Sequence, residues 1–399
     1  MGNVPNLRFP EFSGEWSSQP LTDFMNFKNG LNPDAKRFGR GTKFISVMDI
    51  LNNQYICYDN IRASVELQDG DIETYGVDYG DILFQRSSET LEDVGRANVY
   101  LDSKPAIFGG FVIRGKSKGN YNPLFFRYLL ASPTARKRII VKGAGAQHFN
   151  IGQDGLSKVS LDIPRLSEQE KIGKLLQCVD ARIATQTKII EDLKKLKSAI
   201  AQKLLNDRVL LETRISLGEV CELKNGYAFK SSSYCRDGKY KIITIANVQG
   251  NRYISTEDCK TISYLPKDLQ KHQVLRENDI LISMTGNVGR VSLCNDGHYL
   301  LNQRVGLLAP KIKEVEFLFQ VLASEHFEQS MIACGQGAAQ MNIGKSDIDG
   351  YMLPFSRKSD NMNHIAKVLL AYDNCTNTNV KLLDYLILQK QYLLSQMFI

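Results

Sequence analysis

The sequence predicts an α+β protein built twice over, with two globular domains of mixed strands and helices, each followed by a long helix. The two helices are expected to pair as an antiparallel coiled coil, giving a pseudo-twofold internal repeat. Three observations lead there. Residues 172–205 and 365–398 align without a gap at an offset of 193, and in both the apolar positions step 4,3,4,3. Neither stretch contains Gly or Pro after Gly173, so each helix can run well beyond the usual three or four turns. Short motifs outside the helices also recur in one order, at offsets between 192 and 198.

In the first domain, residues 21–162, short β-rich runs alternate with turn residues. Phe44-Ile45-Ser46-Val47 and Ile82-Leu83-Phe84 read as strands. Residues 123–130 read as a helix with Asn122 as its cap and Pro123 at the first helical position. Pro164 marks the end of the domain, and Ser167 with Glu170 three residues on reads as a capping box for the long helix. Its seam falls on Ile172, Leu176, Val179, Ile183, Gln186, Ile190, Leu193, Lys197, Ile200 and Leu204. A spacing of 3.5 keeps these on one stripe, as in helices that supercoil in pairs.

The second domain, residues 215–353, repeats the pattern. Lys241-Ile242-Ile243-Thr244-Ile245 and Ile280-Leu281-Ile282 read as strands, residues 317–322 as a helix, and Pro354 as the boundary. The second seam holds Ile365, Leu369, Tyr372, Thr376, Asn379, Leu383, Leu386, Lys390, Leu393 and Met397. Its polar positions coincide with those of the first, Asn379 with Gln186 and Lys390 with Lys197, which suits a register device. Pairing Ile172 near Met397 puts Lys197 opposite Tyr372 and Lys390 opposite Val179, with each Lys expected to snorkel to water. The division is then 1–165, 166–207, 208–356 and 357–399, with the domains at opposite ends of a rod of roughly 50 Å.

The net charge of +7 and a pI near 8.8 favour a polyanionic partner. Eight scattered cysteines, without a C-x-x-C pair and with five histidines, fit cytosolic thiols better than a zinc or disulfide framework. With no signal sequence and no bilayer-length apolar run, the expected location is the cytoplasm. Met1-Gly2 begins like a myristoylation site, but Asn6 stands where Ser or Thr is needed. Asn122-Pro123-Leu124-Phe125 lacks the second Pro of an amino-methyltransferase motif. Gly143-Ala144-Gly145 lacks the third Gly of a dinucleotide loop. There is no phosphate-binding or zinc-hydrolase motif, so the chain is expected to be catalytically silent, without cofactor or metal.

A duplicated frame with divergent polar loops suits two readers of two DNA sequences, because bases are read by Arg, Lys, Asn, Gln, Ser and Thr. The candidates in the first domain are Lys36, Arg37, Arg40, Arg86, Ser88, Gln147 and His148. In the second they are Lys230, Ser283, Thr285, Asn287 and Gln340. Arg114, Lys116, Lys118, Arg136, Lys137 and Arg138 are candidates for holding phosphates.

Three motifs then carry a resemblance: residues 4–10 (VPNLRFP), Gly80-Asp81-Ile82-Leu83, and Pro164 followed by Ser167-Glu168-Gln169-Glu170-Lys171-Ile172. In this order, within a twice-repeated frame, the chain resembles the specificity subunit of type I restriction-modification systems over nearly its whole length. The second copy departs at Ser359-Asp360-Asn361, which blurs where its helix starts. The resemblance implies that each globular part is a target recognition domain reading half of a split double-stranded DNA site. It implies helices that set the spacer and dock two methyltransferase subunits, which bind S-adenosylmethionine, with motor-nuclease subunits joining to cut. The alternatives are a recombination or partition protein with a coiled-coil arm, and a cytosolic scaffold.

Overall fold

The computed structural model describes residues 2–145, 147–335 and 341–399. The chain divides into two compact units, Met1–Thr187 with Leu382–Ile399, and Lys188–Lys381. Each unit thus holds one globular domain and a stretch of both long helices, Leu166–Leu205 and Ser359–Gln396.

The first unit centres on an antiparallel sheet in the order Met25–Asn29, Val112–Ser117, Ile82–Gln85, Ala97–Val99. A second sheet runs Ala63–Val65, Phe38–Ile45, Ala106–Phe108, Gly76–Val77, with Phe38–Ile45 parallel to Ala106–Phe108. Ser17–Pro20 pairs with Ser160–Ile163, drawing the two ends of the domain together. The second unit repeats the main sheet as Cys221–Asn225, Val305–Pro310, Ile280–Ser283, Val291–Leu293. Its smaller sheet is Lys260–Ile262, Tyr240–Ile243, Tyr299–Leu301, and Thr213–Ser216 pairs with Met352–Phe355. The duplication seen in the sequence is therefore a duplication of strand order.

Packing explains the shared motifs. In Lys28-Asn29-Gly30 and Lys224-Asn225-Gly226 the glycine is the constrained residue. A Cβ on Gly30 would lie 2.1 Å from the Gly109 carbonyl oxygen, and one on Gly226 would lie 2.1 Å from that of Asn302. In the two Val-Gly-Arg motifs, Gly95 (φ 68°) and Gly289 (φ 80°) adopt the left-handed conformation that glycine favours.

Two strand readings end early. Phe38–Ile45 stops before Ser46, which accepts from and donates to the Asp49 turn and opens a helix at Val47–Asn52. Tyr240–Ile243 stops before Thr244, whose amide and hydroxyl both bond Asn247 Oδ1 at 2.8 Å. The helix cap at Asn122 is present, with Oδ1 accepting from Phe125 N at 2.9 Å, and the helix runs Pro123–Ala131.

The first long helix begins at Leu166, which places Ser167 inside its first turn rather than at the cap. Glu168 and Gln169 instead tie the helix to its domain. The buried Glu168 carboxylate receives Arg8 through two bonds of 2.8 Å and the Trp16 indole at 3.3 Å. Gln169 accepts from Asn122 N at 3.0 Å and donates to the Pro164 carbonyl at 2.9 Å. In the second unit Asn361 donates to the Leu210 carbonyl at 3.0 Å, a helix-to-linker tie near the start of the second helix, Ser359.

Within each unit the helix segments run antiparallel on the predicted seam. Ile172, Leu176 and Val179 share a core with Leu393, Met397 and Phe398 in the first unit. In the second, Ala201 and Leu205 share one with Met362, Ile365 and Leu369. The seam lysines do not snorkel to water. Lys390 bonds Asp180 at 2.6 Å and Lys197 bonds Asp373 at 2.5 Å, the aspartates lying one residue beyond the expected partners Val179 and Tyr372. Each lysine thus meets a largely covered carboxylate in a charge-assisted bond where exposure to solvent was expected.

Replacing Leu193 and Leu386 together with Asp is expected to lower the thermal stability of both units, because the carboxylates would replace seam side chains and lack partners. An unchanged melting profile in that double variant would argue against the seam.

Candidate nucleic-acid interface

In the first unit, strand Ile82–Gln85 ends in a loop, residues 86–94, that Gly95 closes. Gly95 N donates to the Gln85 carbonyl at 2.9 Å and Gln85 N donates to Arg96 O at 2.7 Å, so both ends of the loop leave one rigid point. Two other segments flank it. On one side Ser87–Ser88 pairs with Phe149–Asn150, the end of the loop that carries Gln147 and His148. On the other, Arg86 N donates to the Phe111 carbonyl at 2.9 Å and Arg86 Nη1 to that of Gly110 at 3.3 Å. The fold thus brings Arg86, Ser88, Gln147 and His148 together from chain segments 60 residues apart. Gln147 and His148 are exposed, while Arg86 and Ser88 are half-buried.

The second unit builds the same frame around a shorter loop, residues 284–288. Ser283 N donates to Arg290 O and Gly289 N to Ser283 O, both at 2.9 Å. Thr285 bridges Asn342, as Ser87 pairs with Asn150, and Met284 N donates to the Arg304 carbonyl at 3.1 Å, as Arg86 N does to Phe111. Thr285 is half-buried and Asn287 exposed. Gln340 lies outside the described residues.

Several expected contact residues are engaged elsewhere. Ser283 is fully buried; its hydroxyl donates to the Asn287 carbonyl and accepts from Arg290 N at 3.1 Å, so it shapes the loop from beneath. Arg37 is paired with Asp71 and donates to Glu66 O at 2.9 Å, while the exposed Arg40 holds Glu66 at 2.6 Å. With exposed Lys36 they sit at the start of the second sheet rather than on the Arg86 loop. Lys230 is exposed just before a 3-10 turn, Ser231–Ser233.

The phosphate candidates change most. Arg114 is buried, donates to the Gly76 carbonyl and lies 5.3 Å from the Phe108 ring; burial pushes its guanidinium below its ordinary pKa. Lys116 pairs with Asp78, Lys118 donates to Thr22 O at 2.6 Å, and Arg138 holds Asp162 at 2.6 Å. Arg136 donates to the carbonyls of Glu92 at 2.9 Å and Val94 at 2.6 Å, bracing the Arg86 loop from below. Burial lowers its pKa to about 10, which leaves it charged at neutral pH. Lys137 remains exposed.

The sequence reading missed the turn at 109–111 and its counterpart at 302–304. Phe111 is 70 % exposed. Beneath it a cavity of about 410 Å³ is lined by Leu31, Pro33, Phe38, Phe44, Met48 and Val112. The one available signal was the alignment of Phe108–Val112 with Leu301–Val305 at the helix offset, which sets Phe111 against Arg304. A larger cavity of about 1340 Å³ in the second unit includes none of these loops, and Lys197, Arg252 and Asp373 in its wall are engaged in ion pairs. Among the described residues no cluster of three or more His, Cys, Asp or Glu could hold a metal ion, and no helix is long and apolar enough to cross a membrane.

Comparison with known proteins agrees with the duplicated two-domain fold. The chain is 25 % identical over 394 residues to a putative type I restriction enzyme MjaX specificity subunit of Methanocaldococcus jannaschii, covering 93 % of this chain and 90 % of the relative. It is 25 % identical over 352 residues to the type I restriction enzyme MjaVIII specificity subunit of the same organism, covering 82 % and 78 %. The crystal structure of the type I restriction-modification S subunit from M. genitalium aligns over 99 % of both chains, with a TM-score of 0.59 at 16 % identity. A chain from a structural study of type I R-M complex assembly and conformational transition aligns over 95 % of this chain and 96 % of its own. Its TM-score is 0.53 at 13 % identity. The profile of the type I restriction modification DNA specificity domain matches residues 13–195 and again 213–386. The chain therefore belongs to the type I restriction-modification specificity family and carries its DNA specificity domain twice.

Proposed function

We propose that this chain is the non-catalytic, DNA-reading part of a cytoplasmic restriction-modification complex, in which residues 1–165 and 208–356 each read one half of a split duplex target. Residues 166–207 and 357–399 serve as the helical spacer and dock two methyltransferase subunits, to which motor-nuclease subunits join. The observation that carries the reading is the loop frame built twice. Each frame closes on a left-handed glycine, and each holds a loop of different length and chemistry, residues 86–94 against 284–288. A protein-binding scaffold accounts for paired helices but gives no reason for divergent polar loops on a common support.

Sequencing the methylated bases of cells that carry this chain and its methyltransferase partner tests the reading. The expected motif is two short blocks separated by unread base pairs; a continuous motif would refute it. Arg86→Ala or Gln147→Ala is expected to relax the first block alone, by roughly 1–3 kcal/mol for whichever makes a good base contact. Affinity for the target should also fall log-linearly with salt concentration.

A further inference from the structure

We propose that the turns at 109–111 and 302–304 read bases in their respective halves of the target, Phe111 contacting the methyl edge of a thymine and Arg304 donating to a guanine. The proposal rests on the reading of a split duplex target given above.

The two turns have the same main-chain bonding. Gly110 N donates to Leu31 O at 2.9 Å, and Gln303 N to Tyr227 O at 3.0 Å. Val112 N donates to Gly109 O, and Val305 N to Asn302 O, both at 2.9 Å. The carbonyls of Phe111 and Arg304 each accept from the first residue of the neighbouring loop, Arg86 and Met284. The turn is therefore fixed on three sides, and what differs is the side chain it presents: an aromatic ring in one copy, a guanidinium in the other.

Burial and chemistry make that difference informative. Phe111 is 70 % exposed although an apolar cavity opens beside it, and its neighbours on that cavity, Phe38 and Met48, are 44 % and 57 % exposed. A benzyl ring gains nothing from a phosphate. In the major groove the apolar partner duplex DNA offers is the thymine C5-methyl, which phenylalanine can contact. Arg304 is likewise exposed, and an arginine at a groove edge matches the O6 and N7 acceptors of guanine with two parallel bonds. A rigid turn lowers the ordering cost of each contact, since only the side chain must settle on binding.

The test is the methylated motif written in cells by the full chain with its methyltransferase partner, comparing wild type with F111A, F111L, R304A and R304K. F111A is expected to lose roughly fourfold preference at one thymine position of the first block, about what burial of one methyl contributes, while F111L retains most of it. R304A and R304K are both expected to lose roughly 5- to 150-fold preference for guanine at one position of the second block. Lysine keeps the charge but not the planar fork, so loss in R304K separates base reading from phosphate attraction. Motifs unchanged in all four variants would overturn the proposal. So would a uniform drop in methylation at every sequence, which is the mark of a phosphate contact or of lost stability. A wild-type motif that is not split would instead remove the reading on which the proposal rests.

Discussion

Replacing Asp180 with Ala is expected to destabilise the first unit by about 3–5 kcal/mol, because it removes the shared counter-charge of a buried cluster. The Asp180 carboxylate is 6 % exposed and accepts from Tyr128 Oη at 2.8 Å, Arg127 Nη1 at 3.1 Å and Lys390 Nζ at 2.6 Å. Arg127 and Tyr128 belong to the Pro123–Ala131 helix of the globular domain, and Lys390 to the second long helix. One carboxylate therefore joins domain and helix pair. Its removal leaves two cations and a hydroxyl partly buried without a partner.

Acid should act on the same cluster. Burial alone would raise the Asp180 pKa, but Lys390, Tyr128 and Arg127 outweigh it and hold the carboxyl below its ordinary value. The folded value thus lies below the unfolded one. The cluster contributes fully above the unfolded-state value, near pH 4, and the contribution is lost as pH falls through the folded value. Hydrogen exchange over residues 123–131 and 176–183 as a function of pH measures this. A D180A chain with wild-type protection there would sink the prediction.

The second unit reaches the same end with different residues. Asp373 accepts from Lys197 at 2.5 Å, Gln320 at 2.7 Å and Arg252 at 3.1 Å. Gln320 stands where the repeat has Tyr128, but the position of Arg127 holds Phe319. The cation is Arg252, which comes from a loop distant in sequence, lies 5.1 Å from the Phe319 ring and also holds Glu316 through two bonds of 2.8 and 2.7 Å. The aspartate and lysine are identical across the repeat, whereas their partners have been rebuilt.

That pattern marks how far the sequence could be read. The periodic seam, the repeat, the Asn122 cap and the strand at Ile82 were legible because each is local or is stated twice. The fate of the charged residues was not. Arg114 and Ser283 lie on strands buried on both faces, so no alternation of polar and apolar positions betrays which way they point. Lys116 lies between Arg114 and Lys118, and Arg136 and Arg138 flank Lys137, so each sits among cations in the sequence, and only the fold brings them their acceptors, Asp78, the 92–94 carbonyls and Asp162. The candidate interface is assembled from three segments, residues 86–88, 109–111 and 147–150, whose proximity is a product of strand order.

Exchanging residues 21–162 for the matching segment of another specificity subunit is expected to replace the first block of the methylated motif completely and to leave the second block as it was. Among the described residues each apolar cluster lies wholly within one unit, so the graft leaves the cores of the second unit as they were. Trp16, Ile163, Ile172, Leu176, Val179, Leu393, Met397 and Phe398 stay behind and must pack against the incoming domain. All three segments of the first candidate interface also fall inside the exchanged stretch. The cut points lie at the Ser17–Pro20 and Ser160–Ile163 pair, where two antiparallel strands close the base of the domain and the graft can be rejoined in register. One condition follows from the Asp180 cluster. The incoming domain must supply a cation and a neutral donor to that carboxylate, from positions 127 and 128 or, as Arg252 and Gln320 do for Asp373, from elsewhere. Grafts that meet it should methylate a hybrid motif, while grafts that do not should fold poorly until Asp180 is changed to a smaller neutral residue together with Lys390. Sequencing methylated DNA from cells carrying each hybrid decides the matter, and a change in both blocks after exchange of one domain would refute independent reading.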